Sequence, residues 1–329
     1  MLKIGVCGAG YLGKIHIQQW KEINGIELVG FYDPNENNAK EAENKFNTKS
    51  YKSEDELIAN CNAIDIVTIT KEHFRIAEKC LLAGKHVFIE KPVTETLNQA
   101  EKLLELEKST KLKIQIGHIE RFNPTFKVAT AFGLHPMFIE SHRLAEFSQR
   151  GTDVSVILDL MIHDIDIVLK IVKSPVKFIS ASGVSIVSGN PDIANARIEF
   201  ENGCTANLTA SRISLRKERK MRIFQRDAYI LVDFLNKITE KFSLEDEKAG
   251  FNPFQFVIDT GRERKAVKMD KPTVPSTNAM RAELESFANA IIKNTPTEVS
   301  LTDGYNALKL AHLVLDQIKE KEEKFLLQS

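Results

Sequence analysis

Along the first third of the chain, short solid apolar runs alternate with longer stretches in which apolar residues recur every three or four positions. The runs at 2–6, 26–32, 63–70, 85–89 and 113–116 read as buried strands. The stretches opening near 15 and covering 38–46, 54–59, 73–83 and 94–109 read as helices. Strands that alternate with helices build a parallel sheet covered on both faces, and its ligands bind beyond the carboxyl ends of the strands. That rim would gather residues 8–12, Asp33, 70–73, 90–92 and His118. After Asn123-Pro124 the rhythm changes. A short helix, a strand at 137–144 and a helix at 156–172 are followed by strand-like runs at 176–187, 194–200, 204–211, 221–225 and 229–234. Helical stretches at 279–293 and 303–321 close the chain. Consecutive strands with no helix between them predict a large, mainly antiparallel open sheet with helices on one face.

The first strand leads into Gly8-Ala-Gly10-Tyr11-Leu12-Gly13, a G-x-G-x-x-G spacing that opens a helix. Gly8 allows the tight turn, Gly10 lets the backbone approach a pyrophosphate, and Gly13 lets the helix pack on the sheet. The first helical N–H groups, Tyr11 and Leu12 among them, would face the phosphates. Asp33 ends the second strand twenty residues past Gly13, where a ribose 2′-hydroxyl needs an acceptor. The expectation is an α/β Rossmann dinucleotide-binding domain over 1–120. An α+β domain over 121–329 follows, with a cleft between the two. Asp33 with no arginine in 34–38 favours NAD over NADP, because nothing offsets the repulsion of a 2′-phosphate.

Composition narrows the function classes. The 329 residues carry 45 basic and 45 acidic side chains, so no global charge calls for nucleic acid or membrane. Cys7, Cys61, Cys80 and Cys204 show no zinc spacing and read as reduced thiols. The sequence starts directly in a strand and has no long apolar run, so a cytoplasmic protein without a signal peptide or membrane span is expected.

Two stretches could do chemistry. Asp159 and His163 are four apart on one helix face. A carboxylate beside an imidazole fixes its tautomer and suits a general base. Alone, the pair reads equally well as a solvated acid beside a core histidine. No third ligand supports a metal reading. Glu90-Lys91-Pro92 follows a buried strand at the ligand rim, where the lysine charge could stabilise a forming alkoxide. The bland alternative is a surface ion pair. Arg121 suits bidentate phosphate contacts, and Asn123 could read a sugar hydroxyl. The basic run from Arg212 to Arg226 is either part of a pyrophosphate site or, more simply, a charged strand edge.

The glycine turn, Glu90-Lys91-Pro92 and Asp159-x-x-x-His163, in this order and at these separations, resemble the Gfo/Idh/MocA family of oxidoreductases. The resemblance implies that Lys91, Asp159 and His163 are the catalytic set. It also implies that Glu90 and Lys91 lie beside the nicotinamide, and that Thr70 and His73 border the cofactor. The family usually has Pro-Asn where this chain has Lys71-Glu72. Gly117-His118-Ile-Glu120-Arg121-Phe122-Asn123-Pro124, with Asp159 to Asp166, is similar to sugar-nucleotide dehydrogenases that oxidise the 3-hydroxyl of UDP-N-acetylglucosamine. The implied substrate is a nucleotide sugar bound through Arg121, Asn123 and His163. The implied assembly is a homodimer or homotetramer through the second sheet. A dehydrogenase of a free sugar, polyol or inositol is the alternative within the fold. A reductase of the biliverdin or dihydrodipicolinate type and a non-catalytic dinucleotide-binding regulator complete the field. The retained Lys91, Asp159 and His163 favour an enzyme.

Overall fold

The computed structural model describes residues 1–148, 154–246, 256–259, 261 and 264–326. The first apolar run is β1 (Leu2–Cys7), and the glycine turn leads into α1 (Tyr11–Lys21). The chain continues through β2 (Ile26–Tyr32), α2 (Glu36–Phe46), α3 (Glu54–Asn60), β3 (Ala63–Ile66), α4 (Thr70–Leu82), β4 (His86–Glu90), α5 (Leu97–Lys108) and β5 (Ile114–Gly117). The five strands are all parallel, in the order β2-β1-β3-β4-β5. The chain therefore leaves β1 toward one side and returns on the other. The turn after β1 sits where the order reverses, which is where such sheets open a crevice. Every residue of β3 and β5 is buried, as expected for strands covered on both faces.

Two boundaries differ from the sequence expectation. The strand expected to reach Thr70 ends at Ile66, and Thr70 instead opens α4. The β-branched residues Val67 to Thr70 look like strand, but the buried stripe His73, Ile76, Ala77, Cys80 and Leu81 makes the helical period prevail. The helix expected from 94 starts at Leu97, because Thr96 and Gln99 form a reciprocal capping box.

Contacts divide the chain into two compact units, Met1–Phe122 with Asn278–Lys309 and Asn123–Thr277 with Leu310–Ser329. The first unit thus regains α8 (Ala279–Ile292) and the start of α9 (Leu301–Leu326). Gln115 donates its amide to the Glu283 carbonyl at 3.0 Å, and the Ile116 N–H bonds to the Val299 carbonyl at 3.1 Å. Phe287 meets Phe88 edge-on in the core. A single cut at 120/121, drawn from the change of rhythm, leaves this return out.

The second unit holds α6 (Pro124–Thr130), β6 (Phe138–Leu144), α7 (Ile162–Val172), β7 (Val176–Val184), β8 (Ile193–Phe200), β9 (Thr205–Ser211), β10 (Glu218–Phe224), β11 (Ala228–Asp233), β12 (Ile238–Asp246), β13 (Val257–Asp259) and β14 (Arg264–Asp270). Its nine strands run in the order β13-β14-β12-β11-β10-β6-β9-β8-β7. Their neighbours are antiparallel except for the parallel pair β6 and β9. The sequence pattern did not single out β12 to β14. In β12 the charged Glu240, Lys241 and Glu245 interrupt the apolar signal. Just before α7 lies a π-helical turn, Ile157–Met161, where an unbroken α-helix was expected. Among the described residues no helix is long and apolar enough to cross a membrane.

Candidate dinucleotide site and catalytic residues

Gly8 has φ +101°, and its N–H donates to the Tyr32 carbonyl at 2.8 Å. A Cβ there would lie 2.4 Å from the Val67 carbonyl oxygen, and one on Gly13 would lie 2.0 Å from the Gly8 oxygen. Gly10 differs, with nothing within 4 Å of where its Cβ would be. Gly8 and Gly13 thus satisfy the protein's own packing, whereas Gly10 keeps space open. Gly10 caps α1 without any side-chain hydrogen bond, and no acidic residue stands in the first turn. The first N–H groups and the positive end of the helix dipole are left for an anion.

This turn lines a cavity of about 640 Å³, together with Asp33, Pro34, Asn38, Thr68 and Ile69. That size suits a cofactor site. The Asp33 carboxylate accepts the Ala9 N–H at 2.7 Å and the Asn35 N–H at 2.8 Å, one on each oxygen. Each oxygen retains a lone pair for a ribose hydroxyl. The lining also carries Arg75 and Lys79, but Glu54 accepts from Arg75 Nη1 and Nη2 at 2.9 Å and from the Lys79 amine at 3.0 Å. The donors, the open glycine and the acid fit a dinucleotide.

Thr70, His73, Glu90 and Lys91 lie outside that lining, around the ends of β3 and β4. His73 is 1% exposed, with Nδ1 2.9 Å from the Pro92 carbonyl oxygen and Nε2 3.2 Å from that of Thr68. Burial pushes its pKa down, so the ring is neutral. It ties the loop after β3 to the turn after Lys91. Lys91 is half-buried, whereas Glu90 is buried. The Glu90 carboxylate turns inward, 3.3 Å from His16 Nε2, and accepts the Lys91 N–H at 3.1 Å. His16 Nδ1 lies 2.8 Å from Asp65 Oδ2, which also accepts the Trp20 indole N–H at 2.7 Å. The sequence reading missed this buried chain. Its one early signal was a histidine and a tryptophan on the buried face of the first helix.

In the second unit, Asp159 lies in the π-helical turn and His163 in the first turn of α7. Along 161–168 His163 is the one position that is not buried, and Asp159 is also half-open. The helix packs on β6 and β9 and is anchored beside His163. Asp164 takes Arg143 Nε at 2.8 Å and Nη2 at 3.0 Å, and both residues are buried. A π turn widens the helix locally and is common at functional sites.

Arg121 is 4% exposed and turned into its own unit, 3.2 Å from Asp303 and 3.4 Å from the Glu298 carbonyl. Burial acts to raise the Asp303 carboxyl, but Arg121 and the two Ser300 donors together hold it below its usual range. Asn123 accepts the Thr125 N–H at 3.1 Å and caps α6. Of the basic run, Arg212 reaches the Val154 carbonyl at 2.6 Å, Lys217 pairs with Glu146, and Arg222 with Glu140. The charged strand edge expected here is not found: β10 (Glu218–Phe224) lies between β11 and β6, and its Arg222 pairs with Glu140 across the neighbouring strand. All four cysteines are buried and unpaired. Among the described residues no group of three or more histidine, cysteine or acidic side chains could hold a metal.

A parallel sheet with an anion-binding glycine turn and an acid after β2, joined to a large open sheet, defines a nicotinamide-dinucleotide oxidoreductase. Residues 2–118 match the model for the oxidoreductase family with an NAD-binding Rossmann fold, and 115–230 match the GFO/IDH/MocA C-terminal domain. The chain belongs to the Gfo/Idh/MocA family. It is 35% identical over 326 residues to the UDP-N-acetylglucosamine 3-dehydrogenase of Acidithiobacillus ferrooxidans, covering 99% of this chain and 98% of that one. A solved structure of that enzyme superposes with TM-score 0.87 at 33% identity, over 97% and 98% of the two chains. The myo-inositol 2-dehydrogenase of Thermotoga maritima is 26% identical over 97% of both chains. The fold is also that of a scyllo-inositol dehydrogenase from Lactobacillus casei with bound NAD(H) and scyllo-inositol, with TM-score 0.78 at 21% identity over 98% of each chain.

Proposed function

We propose that the protein is an NAD-dependent dehydrogenase that oxidises the 3-hydroxyl of a UDP-N-acetylhexosamine. The observation that carries this is the end-to-end likeness to a UDP-N-acetylglucosamine 3-dehydrogenase, with Lys91, Asp159 and His163 all present. The first unit serves as cofactor domain, the second as substrate and oligomerisation domain. Nicotinamide, when bound, accepts a hydride from the sugar carbon. The glycine turn and α1 hold the pyrophosphate, and Asp33 holds the adenosine ribose. Thr70, His73 and Glu90 shape the cofactor's surroundings, His73 through the two carbonyls it faces. His163 takes the hydroxyl proton, and Asp159 sets its orientation. Lys91 stabilises the alkoxide. Arg121 and Asn123, through their own packing contacts, hold the crossover segment beside the substrate.

NAD is preferred over NADP because Asp33 repels a 2′-phosphate and Glu54 engages the two nearby cations. A row of Phe138, Phe224, Tyr229 and Phe242, with ring centroids 5.0–5.8 Å apart, crosses four strands of the open sheet and stays partly exposed. It supports a homodimer or homotetramer through that face. The buried free thiols support a cytoplasmic setting.

The test is NADH formation from NAD with UDP-N-acetylglucosamine, UDP-N-acetylgalactosamine, UDP-glucose and myo-inositol, with an aminotransferase present to consume a 3-keto product. Activity confined to the N-acetylated UDP-sugars is expected. Activity on myo-inositol alone would replace this reading with the inositol one.

A further inference from the structure

Behind Lys91, three ionisable groups are sealed in the first unit. His16 and Asp65 have no exposed surface, and Glu90 is 6% exposed. They come from three separate elements, α1, β3 and β4. The imidazole stands between the two carboxylates, with Nδ1 2.8 Å from Asp65 and Nε2 3.3 Å from Glu90. A neutral ring carries one N–H and would leave a lone pair facing an anion. A protonated ring hydrogen-bonds Asp65 through Nδ1 and gives both carboxylates a countercharge, the contact of Nε2 with Glu90 being one of charge, without hydrogen-bond geometry.

We propose that His16 is the positioning residue for Lys91, a standing imidazolium that anchors Glu90 and, through it, the main chain from which the lysine side chain springs. The proposal rests on the catalytic reading of Lys91. Glu90 accepts the Lys91 N–H with one carboxylate oxygen while the other lies 3.3 Å from His16 Nε2. Gly117 leaves room for this, since a Cβ there would lie 2.8 Å from the Glu90 carboxylate. Burial opposes charge on the ring, yet Asp65 and then Glu90 push its pKa up to about 10. His16 in turn holds Glu90 low, although burial alone would raise it. The charges facing the ring are Asp65 and Glu90. Lys91 and the neutral His73 stand beyond Glu90, and the Cys7 thiol, its pKa raised well up by burial, stands beyond Asp65. His16 also lies three residues past Gly13, so one side chain ties the helix behind the cofactor turn to the lysine.

The experiment compares wild type with His16→Gln, Glu90→Gln, the double variant and Lys91→Met, using NAD and UDP-N-acetylglucosamine. The charge state is read separately by nitrogen-15 NMR of histidine-labelled wild type at about pH 8.5, two units above an ordinary histidine. One ring still carrying both protons is expected, and its signal is lost in His16→Gln. kcat should fall about 10²-fold in His16→Gln while KM for NAD stays within about threefold, the signature of a misplaced catalytic group. The double variant should lose no more than Glu90→Gln alone. No doubly protonated ring, wild-type kcat in His16→Gln, or additive losses would overturn the proposal. If His16→Gln does not fold, the wild-type ring titration and the Glu90→Gln kcat decide it. Full turnover in Lys91→Met would instead bring down the catalytic reading of Lys91. An inactive Lys91→Met beside a fully active His16→Gln brings down this proposal alone.

Discussion

The Asp33 carboxylate accepts the Ala9 N–H at 2.7 Å, which ties the end of β2 to the middle of the glycine turn. One side chain thus shapes the glycine turn and keeps an anion in the cavity beside it. Replacing it by alanine should weaken NAD about ten- to hundredfold, since a hydrogen bond to a charged group is worth about 1.5–3 kcal/mol. NADP should weaken far less, so the preference narrows. Fluorescence titration of both cofactors measures this, and an unchanged ratio would remove Asp33 from the selectivity.

Gly10 and Gly13 should respond differently to a single methyl group. Gly10→Ala meets open space and keeps φ −67°, so its melting temperature should stay within a few degrees of wild type. NAD binding should nevertheless drop, because the methyl occupies the space a pyrophosphate needs. Gly13→Ala drives a Cβ into the Gly8 carbonyl, so both stability and NAD binding should fall. Thermal melts with and without NAD separate the two patterns.

His163→Asn should lower kcat by about 10²–10⁴, the usual worth of a general base, while NAD affinity is kept. Steady-state rates and a cofactor titration on the same preparation check it. A variant with wild-type turnover would take His163 out of the proton transfer.

The buried Arg143–Asp164 pair holds the helix that carries His163. Asp164→Asn leaves a guanidinium short of its countercharge and should cost about 3–5 kcal/mol in urea unfolding. Arg143→Met combined with Asp164→Leu should recover most of that loss, because no buried charge is then stranded.

Asp192 sits between β7 and β8, where it accepts the N–H groups of Ile186, Val187 and Ser188 and the Ser188 hydroxyl. Burial acts to raise its pKa, but these donors outweigh it and hold the carboxyl far below its usual 3.8. A depressed folded pKa gives stability that is complete above the unfolded value and drains away as pH falls toward the folded one. Asp192→Asn should therefore lower the unfolding midpoint at pH 7, with the gap to wild type closing below about pH 4. A gap independent of pH would mean that the amide loses only shape, not charge.

Much of the first unit was legible because its strands are solid apolar runs and its glycines have fixed spacing. The Thr70 boundary was not, since β-branched residues look alike at a strand end and in a first helical turn. His16, Asp65 and Glu90 are up to 74 positions apart and meet only because α1 brings His16 against the neighbouring strands β3 and β4. No local pattern announces such a group. Asp159 and His163 were singled out by their spacing, but the π turn that holds Asp159, which packs on β9, leaves no mark in the sequence pattern. Arg121 and Asn123 were read from their position before the crossover. Their contacts with Asp303 and Thr125 arise from residues that return late, or from a cap that a phosphate reading overlooks.

The return of 278–309 to the first unit also bears on how the protein is made. Leu284, Phe287 and Ala288 share one hydrophobic cluster with Leu2, Trp20 and Phe88, so strands and helices made early shield their core with a helix made almost two hundred residues later. A nascent chain emerging from the ribosome would hold those residues uncovered until that helix follows. A stalled or clipped product ending before 278 would be a client for chaperones and proteases rather than a smaller NAD-binding protein.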